Sequence, residues 1–196
     1  MVRISALPRL AVAVLLAALA AGAPAQPKEE PAPALPPEYS DEARRDYARG
    51  LAEARALIEA KRYDEALARL DALASARPRE AQARFLKAVV QADSGRTKDA
   101  MATLQALAAD FPELPEPRNN LAVIYAAQGN YAMARAELEL ALAAAPDYAV
   151  AHENLGDVYA RMAELQYERA AALDKAGRSA PQKLKAVRGI FPAAPQ

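Results

Sequence analysis

The sequence predicts an all-α protein built as a solenoid of paired helices, and three observations predict it. Ala66, Ala100 and Ala134 are spaced by 34 residues, as are Leu70, Leu104 and Leu138, and again Pro78, Pro112 and Pro146. Within each period, apolar residues recur at three- and four-residue steps, as in Leu67, Leu70 and Leu73 or Leu138, Ala141 and Leu142, which gathers them into one stripe of a helix. No strand-like alternation competes with that stripe. A fixed period of this size marks a unit that cannot hide its apolar face alone and stacks on its neighbours to do so.

The chain opens on a targeting segment. Arg3 and Arg9 supply a positive start, Leu10 to Ala20 is an unbroken apolar run, and Ala23-Pro24-Ala25 offers small residues on either side of one position. That order is the layout of a cleavable secretory signal, expected to be cut after Ala25. A bilayer-spanning helix needs about 20 apolar residues, and this run is shorter, so no transmembrane anchor is expected after cleavage. Without a cysteine to carry a lipid, the product is expected to be soluble. Residues 26–39 are rich in proline, at 27, 31, 33, 36 and 37, and are expected to form a disordered, extended linker. Lys+Arg and Asp+Glu balance at 25 each, with no long run of one sign, so nothing in the charge pattern calls for a nucleic-acid partner. An exported chain without cysteine has no disulfides, and its stability must come from apolar packing.

The solenoid is expected over residues 40–177. Units run over 47–80, 81–114 and 115–148, each with helix, turn, helix and stop. Small residues at Ala54, Ala88, Ala122 and Gly156 mark where two helices approach closely. Gly95 and Gly129 lie between paired helices, where a left-handed residue ends the first, and Pro78, Pro112 and Pro146 stop the second. The second unit departs at Lys87 and Gln91, where apolar residues are usual, and Phe85, Leu86, Val89 and Val90 are expected to carry its packing.

Asn120-Leu121-Ala122, Tyr125, Gly129-Asn130-Tyr131, Ala134, Leu138, Ala141-Leu142 and Pro146 together resemble one nearly complete tetratricopeptide repeat (TPR). The resemblance covers roughly two thirds of the chain. It implies a right-handed TPR solenoid of three repeats with a divergent fourth, and the chain resembles small exported proteobacterial TPR proteins. The fourth unit opens with Asn154-Leu155-Gly156 and Tyr159 but lacks a glycine turn, and Ala163, Tyr167 and Ala170 look like second-helix positions arriving early. Its two helices are therefore expected to be fused into one, from Ala149 to Ala176 and on the order of 40 Å long, ending at Gly177 and capping the array. The tail, 178–196, is expected to hold a short helix capped by Ser179, with Leu184, Val187 and Ile190 on one face, folding back onto the preceding helix.

Catalysis would require converging acid, base or nucleophile groups, or a metal-ligand cluster. The sequence offers no cysteine, one histidine (His152) and only isolated glycines, so no enzyme activity, metal or cofactor is expected. Binding has a better case. The resemblance implies that first helices line a concave groove and that an asparagine in the Asn-Leu-Gly stretch bonds the backbone of an extended peptide. Asn120 and Asn154 match that position, and the same alignment points Asn119, Val123, Glu153, Asp157 and Arg161 toward the groove, with Phe85 and Val89 further along. An amide carries both donor and acceptor and so suits a peptide bond in either sense. Glu153 and Asp157 disfavour a groove for terminal carboxylates. The expectation is a periplasmic scaffold or adaptor for peptides or envelope proteins. Alternatives are a self-associating structural protein, such as a homodimer, or an accessory factor of cytochrome c maturation or envelope assembly.

Overall fold

The computed structural model describes residues 40–191. The expected export signal, the Pro-rich linker and the last five residues of the tail lie outside the described residues. Among the described residues there are eight helices and no strand: α1 (Asp41–Glu59), α2 (Tyr63–Ala76), α3 (Ala81–Asp93), α4 (Thr97–Asp110), α5 (Pro115–Ala127), α6 (Tyr131–Ala144), α7 (Ala149–Leu173) and α8 (Ser179–Arg188). No helix among them is long and apolar enough to cross a membrane.

Each helix packs on the one before and the one after it in the chain, the contact pattern of a stacked array. The repeat columns form the inside of that stack. Ala66, Ala100 and Ala134 are fully buried, as are Leu70 and Leu138, with Leu104 at 2 % exposure. Ala54, Ala88 and Ala122 face them from the first helices, where the missing bulk lets paired helices come close. Each buried leucine contributes about 1.5–3 kcal/mol relative to an exposed one, and three such layers stand where a globular domain would have one core.

The ends of the helices follow from local chemistry. Ser40 accepts a hydrogen bond from the Ala43 N–H at 3.1 Å, and Asp41 and Glu42 sit in the first turn of α1, where they meet the positive end of the helix dipole. Gly95 and Gly129 adopt φ of 78° and 75°, as their place between paired helices requires. Lys61 adopts the same conformation, with φ 57°, at the equivalent place in the first unit. The second helices stop at Ala76, Asp110 and Ala144, and the residues that precede Pro78, Pro112 and Pro146 have φ of −137°, −133° and −137°. A proline ring excludes its predecessor from the helical region, so these stops are steric.

The unusual polar residues of the second unit are each matched. Gln91 is 7 % exposed, and its Oε1 accepts from the Thr103 hydroxyl at 2.8 Å across to α4. Lys87 pairs with Asp71 of α2 at 2.5 Å, and Val90 is fully buried in the place the apolar pattern had left open.

The fourth unit is one continuous helix, as its missing turn implied, with three corrections. First, α7 ends at Leu173, three residues before Ala176. The Asp174 carboxylate accepts from the Gly177 N–H at 2.9 Å and so competes with the helical pattern. Second, Gly156 is not a close-approach residue: a β-carbon there would meet nothing within 4 Å, because no second helix of that unit returns against it. Third, Ser179 is the first residue of α8 and not its cap, since Arg178 holds the cap position without a side-chain bond, and Ile190 lies past the helix, 59 % exposed. α8 folds back on α7, with Leu184 and Val187 half-buried.

Candidate functional site

Two first helices, α5 and α7, touch each other directly and, with part of α6, frame an open cleft of about 390 Å³. α5 contributes Ala122, Val123 and Ala126, and α7 contributes Asn154, Asp157, Val158 and Arg161, both sets at three- and four-residue steps. Tyr131 and Leu138 of α6 and Phe191 of the tail complete the lining. Val123 is 49 % exposed, so one wall presents an open apolar patch to solvent.

A side-chain amide pair links the two helices. The Asn154 Nδ2 donates to Asn119 Oδ1 at 2.8 Å, and Asn119 is only 6 % exposed. A buried amide left unpaired would cost about 1–3 kcal/mol, so each asparagine makes the other tolerable where it stands. Asn120 points elsewhere: its Nδ2 donates to the Glu116 carbonyl of its own helix at 2.8 Å.

The other end of the cleft is closed by charges. Arg161 pairs with Glu164 at 3.0 Å, and Arg188 of α8 reaches Glu164 at 2.9 Å and also pairs with Glu168. The Arg188 and then the Arg161 hydrogen bonds hold the Glu164 carboxyl below the usual glutamate range, and Glu164 in turn raises Arg188. With Arg188 fixed, Phe191 lies over the Arg161 guanidinium, 3.8 Å from its carbon to the ring centre, a cation–π contact.

Of the residues that the sequence singled out, Val123, Asn154, Asp157 and Arg161 share this cleft. Asn119 stands behind it as the partner of Asn154. Glu153 is exposed on α7 but does not line it, and Phe85 packs into the layer of Ala88, Ala100, Leu104 and Leu121, with Val89 half-buried on the same helix. Phe191 and the Glu164–Arg188 pair were not anticipated. The one sequence signal for Phe191 is its step from Leu184 and Val187, which continues the apolar face of α8 by one more turn. His152 binds the Pro146 carbonyl at 2.9 Å through its ring and ties the start of α7 to the preceding turn. Among the described residues no group of three or more His, Cys, Asp or Glu is placed to hold a metal.

Two tetratricopeptide repeat profiles match the sequence, over residues 51–115 and 91–156, and together they span more than half of it. The chain belongs to the tetratricopeptide repeat family. α5 and α7 are thus the first helices of its third and fourth TPR units. No curated protein matches the sequence. Solved TPR structures do resemble it. A thermophilic TPR protein of Thermus thermophilus, TTC0263, is 22 % identical, with a TM-score of 0.53 over 74 % of this chain and 82 % of that one. PcrH, solved in complex with the chaperone binding region of PopD, is 18 % identical, with a TM-score of 0.53 over 63 % of this chain and 96 % of that one. YrrB, a TPR protein with an unusual peptide-binding site, is 23 % identical with a TM-score of 0.47, covering 51 % of this chain and 52 % of YrrB, so the match spans about half of YrrB's length. At these identities the likeness is one of fold.

Proposed function

We propose that this TPR chain is a non-catalytic adaptor that receives a segment of a partner protein in the cleft between α5 and α7. The observation that carries the reading is the meeting of four polar and apolar groups, Val123, Asn154, Asp157 and Arg161, on one open face. An apolar wall with a few placed polar groups is the usual make-up of a recognition cleft. Asn154 supplies the amide that a peptide backbone would take over from Asn119. Asn120, its counterpart one unit earlier, joins when its amide leaves the Glu116 carbonyl. That PcrH is held with a region of PopD lends support by analogy of fold. The apolar run before Ala25 supports a periplasmic place of work, which N-terminal sequencing of the cell-purified protein checks: a chain still starting at Met1 rejects it.

The deciding experiment is site-specific photocrosslinking in cells with the probe at Val123, and at exposed Leu140, outside the cleft, as control. A discrete adduct from Val123, weakened by Asn154→Ala and absent from Leu140, is the expected result. Equal adducts at both positions, or an adduct indifferent to Asn154→Ala, would reject the cleft. Self-association is the second reading, favoured by Tyr159, Leu165 and Leu173, exposed at 48 %, 50 % and 82 % on the terminal α7. A sedimentation series that stays monomeric with rising concentration removes it.

A further inference from the structure

The C-terminal turn of the chain itself forms one edge of the cleft, and the way it is held describes what else would bind there. Phe191 lines the open space of the cleft that it shares with Val123, Asn154, Asp157, Val158 and Arg161, and its ring lies against the Arg161 guanidinium. Three residues earlier, Arg188 is gripped by Glu164 and Glu168 of α7. These two anchors differ in chemistry and are set by separate parts of α7. One is a cation under an aromatic ring, and the other is a pair of carboxylates around a guanidinium. The spacing between them is short enough for one helical turn or one bend to present both.

Resting on the adaptor reading above, we infer that the partner segment of this cleft carries an aromatic side chain three residues after an arginine or lysine, and that it binds by displacing Arg188 and Phe191. The chemistry accounts for both ends. An aliphatic residue in the place of Phe191 would lose the ring contact with Arg161. An acidic residue in the place of Arg188 would face Glu164 and Glu168 and be repelled. Because Arg161, Glu164 and Glu168 are engaged by the chain's own tail, the apparent affinity for an outside peptide that needs them falls in proportion to the fraction of time they are free. The tail therefore sets a threshold that a poor mimic does not pass.

The probe is a fluorescently labelled peptide with the sequence of residues 184–191, Leu-Lys-Ala-Val-Arg-Gly-Ile-Phe, added to the full chain and read by polarisation. Wild type and the double variant Arg188→Ala, Phe191→Ala are compared. The expected result is binding about tenfold or more tighter to the double variant, as for a tail docked roughly nine-tenths of the time. The same peptide with its final Phe replaced by Ala should bind neither chain. Equal affinity for both chains, or undiminished binding of the Ala-ended peptide, overturns the inference. A second readout does not depend on removing the tail. The sequence contains no tryptophan, so Phe191→Trp places a single reporter at the site. Its emission should move to the red when unlabelled peptide is added, and an unmoved spectrum at saturating peptide counts against displacement. The two readings fail separately: a cleft adduct from Val123 that is indifferent to the tail keeps the adaptor and removes this inference, whereas absence of that adduct removes the adaptor.

Discussion

The left-handed turn at Lys61 gives a stability prediction whose sign depends on backbone conformation alone. Lys61 has φ 57°, against 78° and 75° for Gly95 and Gly129, and the three stand 34 residues apart. A side chain in that region costs about 1–2 kcal/mol through the clash of its β-carbon with the following carbonyl. Replacement by glycine removes that cost but frees the unfolded chain, which returns about 0.4–1 kcal/mol. Lys61 is exposed, takes part in none of the ion pairs among the described residues, and its backbone N–H bond to the Ile58 carbonyl at 2.9 Å survives the change. The balance predicts that Lys61→Gly stabilises the protein by about 0.5–1 kcal/mol. Gly129→Ala is the mirror experiment. A β-carbon at Gly129 would meet nothing within 4 Å, so only the conformational term acts, and a loss of similar size is expected. Urea unfolding followed by circular dichroism measures both. The midpoint should rise for Lys61→Gly and fall for Gly129→Ala with the slope unchanged, and the melting temperature should move by about 1–4 °C in the same directions. A midpoint for Lys61→Gly that is unchanged or lower, together with a harmless Gly129→Ala, would refute the left-handed turn and with it the equivalence of the three positions.

Three further outcomes follow from the same structure. Gly156→Ala, at a helical position with open space around it, should stabilise by about 0.5–1 kcal/mol in the same urea assay; a loss would mean that something packs there after all. Thr103→Val removes the donor that satisfies the buried Gln91 amide and should cost about 1–3 kcal/mol, whereas the pair Gln91→Leu, Thr103→Val should recover most of it; an equally unstable double variant would show that the hydrogen bond is not the cause. Acid should release α8 before the array unfolds. The folded Glu164 carboxyl sits below its ordinary range, so its contribution is complete above the unfolded value of about 4.3 and is lost as the pH falls through the lower folded value. The Phe191→Trp reporter should therefore shift only below about pH 4, with helical content still intact, and a shift near neutral pH would assign the release to another group.

The array was legible in the sequence because each unit solves the same burial problem, and identical environments ask for identical residues 34 positions apart. The fused fourth unit was legible for the converse reason. No glycine turn follows Asn154-Leu155-Gly156 and Tyr159, and Ala163, Tyr167 and Ala170 arrive too early for a second helix, so the period breaks where the turn is missing. Lys61 was missed because the left-handed region is disfavoured for a lysine but not closed to it, and packing on either side of the turn outweighs a strain of this size. Gly156 was misread for the same reason that the fusion succeeded: the column predicts a close approach only if the helix that approaches is present.

The site was only half legible, and the limit is geometric. Neighbouring residues on a helix point about 100° apart, so Asn119 and Asn120 look alike in the sequence while one meets α7 and the other turns back to its own carbonyl. The stripe Asn154, Asp157, Arg161 was readable because it repeats the helical step on one element. Phe191 and Arg188 were not, since their partners Arg161, Glu164 and Glu168 lie 20 or more residues away and no period connects them. The same defect that ends the repeat makes their contact possible. Because no second helix folds back beside the distal half of α7, the face bearing Arg161, Glu164 and Glu168 is left for α8 to cover, and α8 covers it with the one turn of chain that also reaches the cleft. A regular fourth unit would have filled that face with its own apolar column. The irregularity that closes the solenoid and the tail that borders the cleft are therefore two consequences of one set of charged residues on α7.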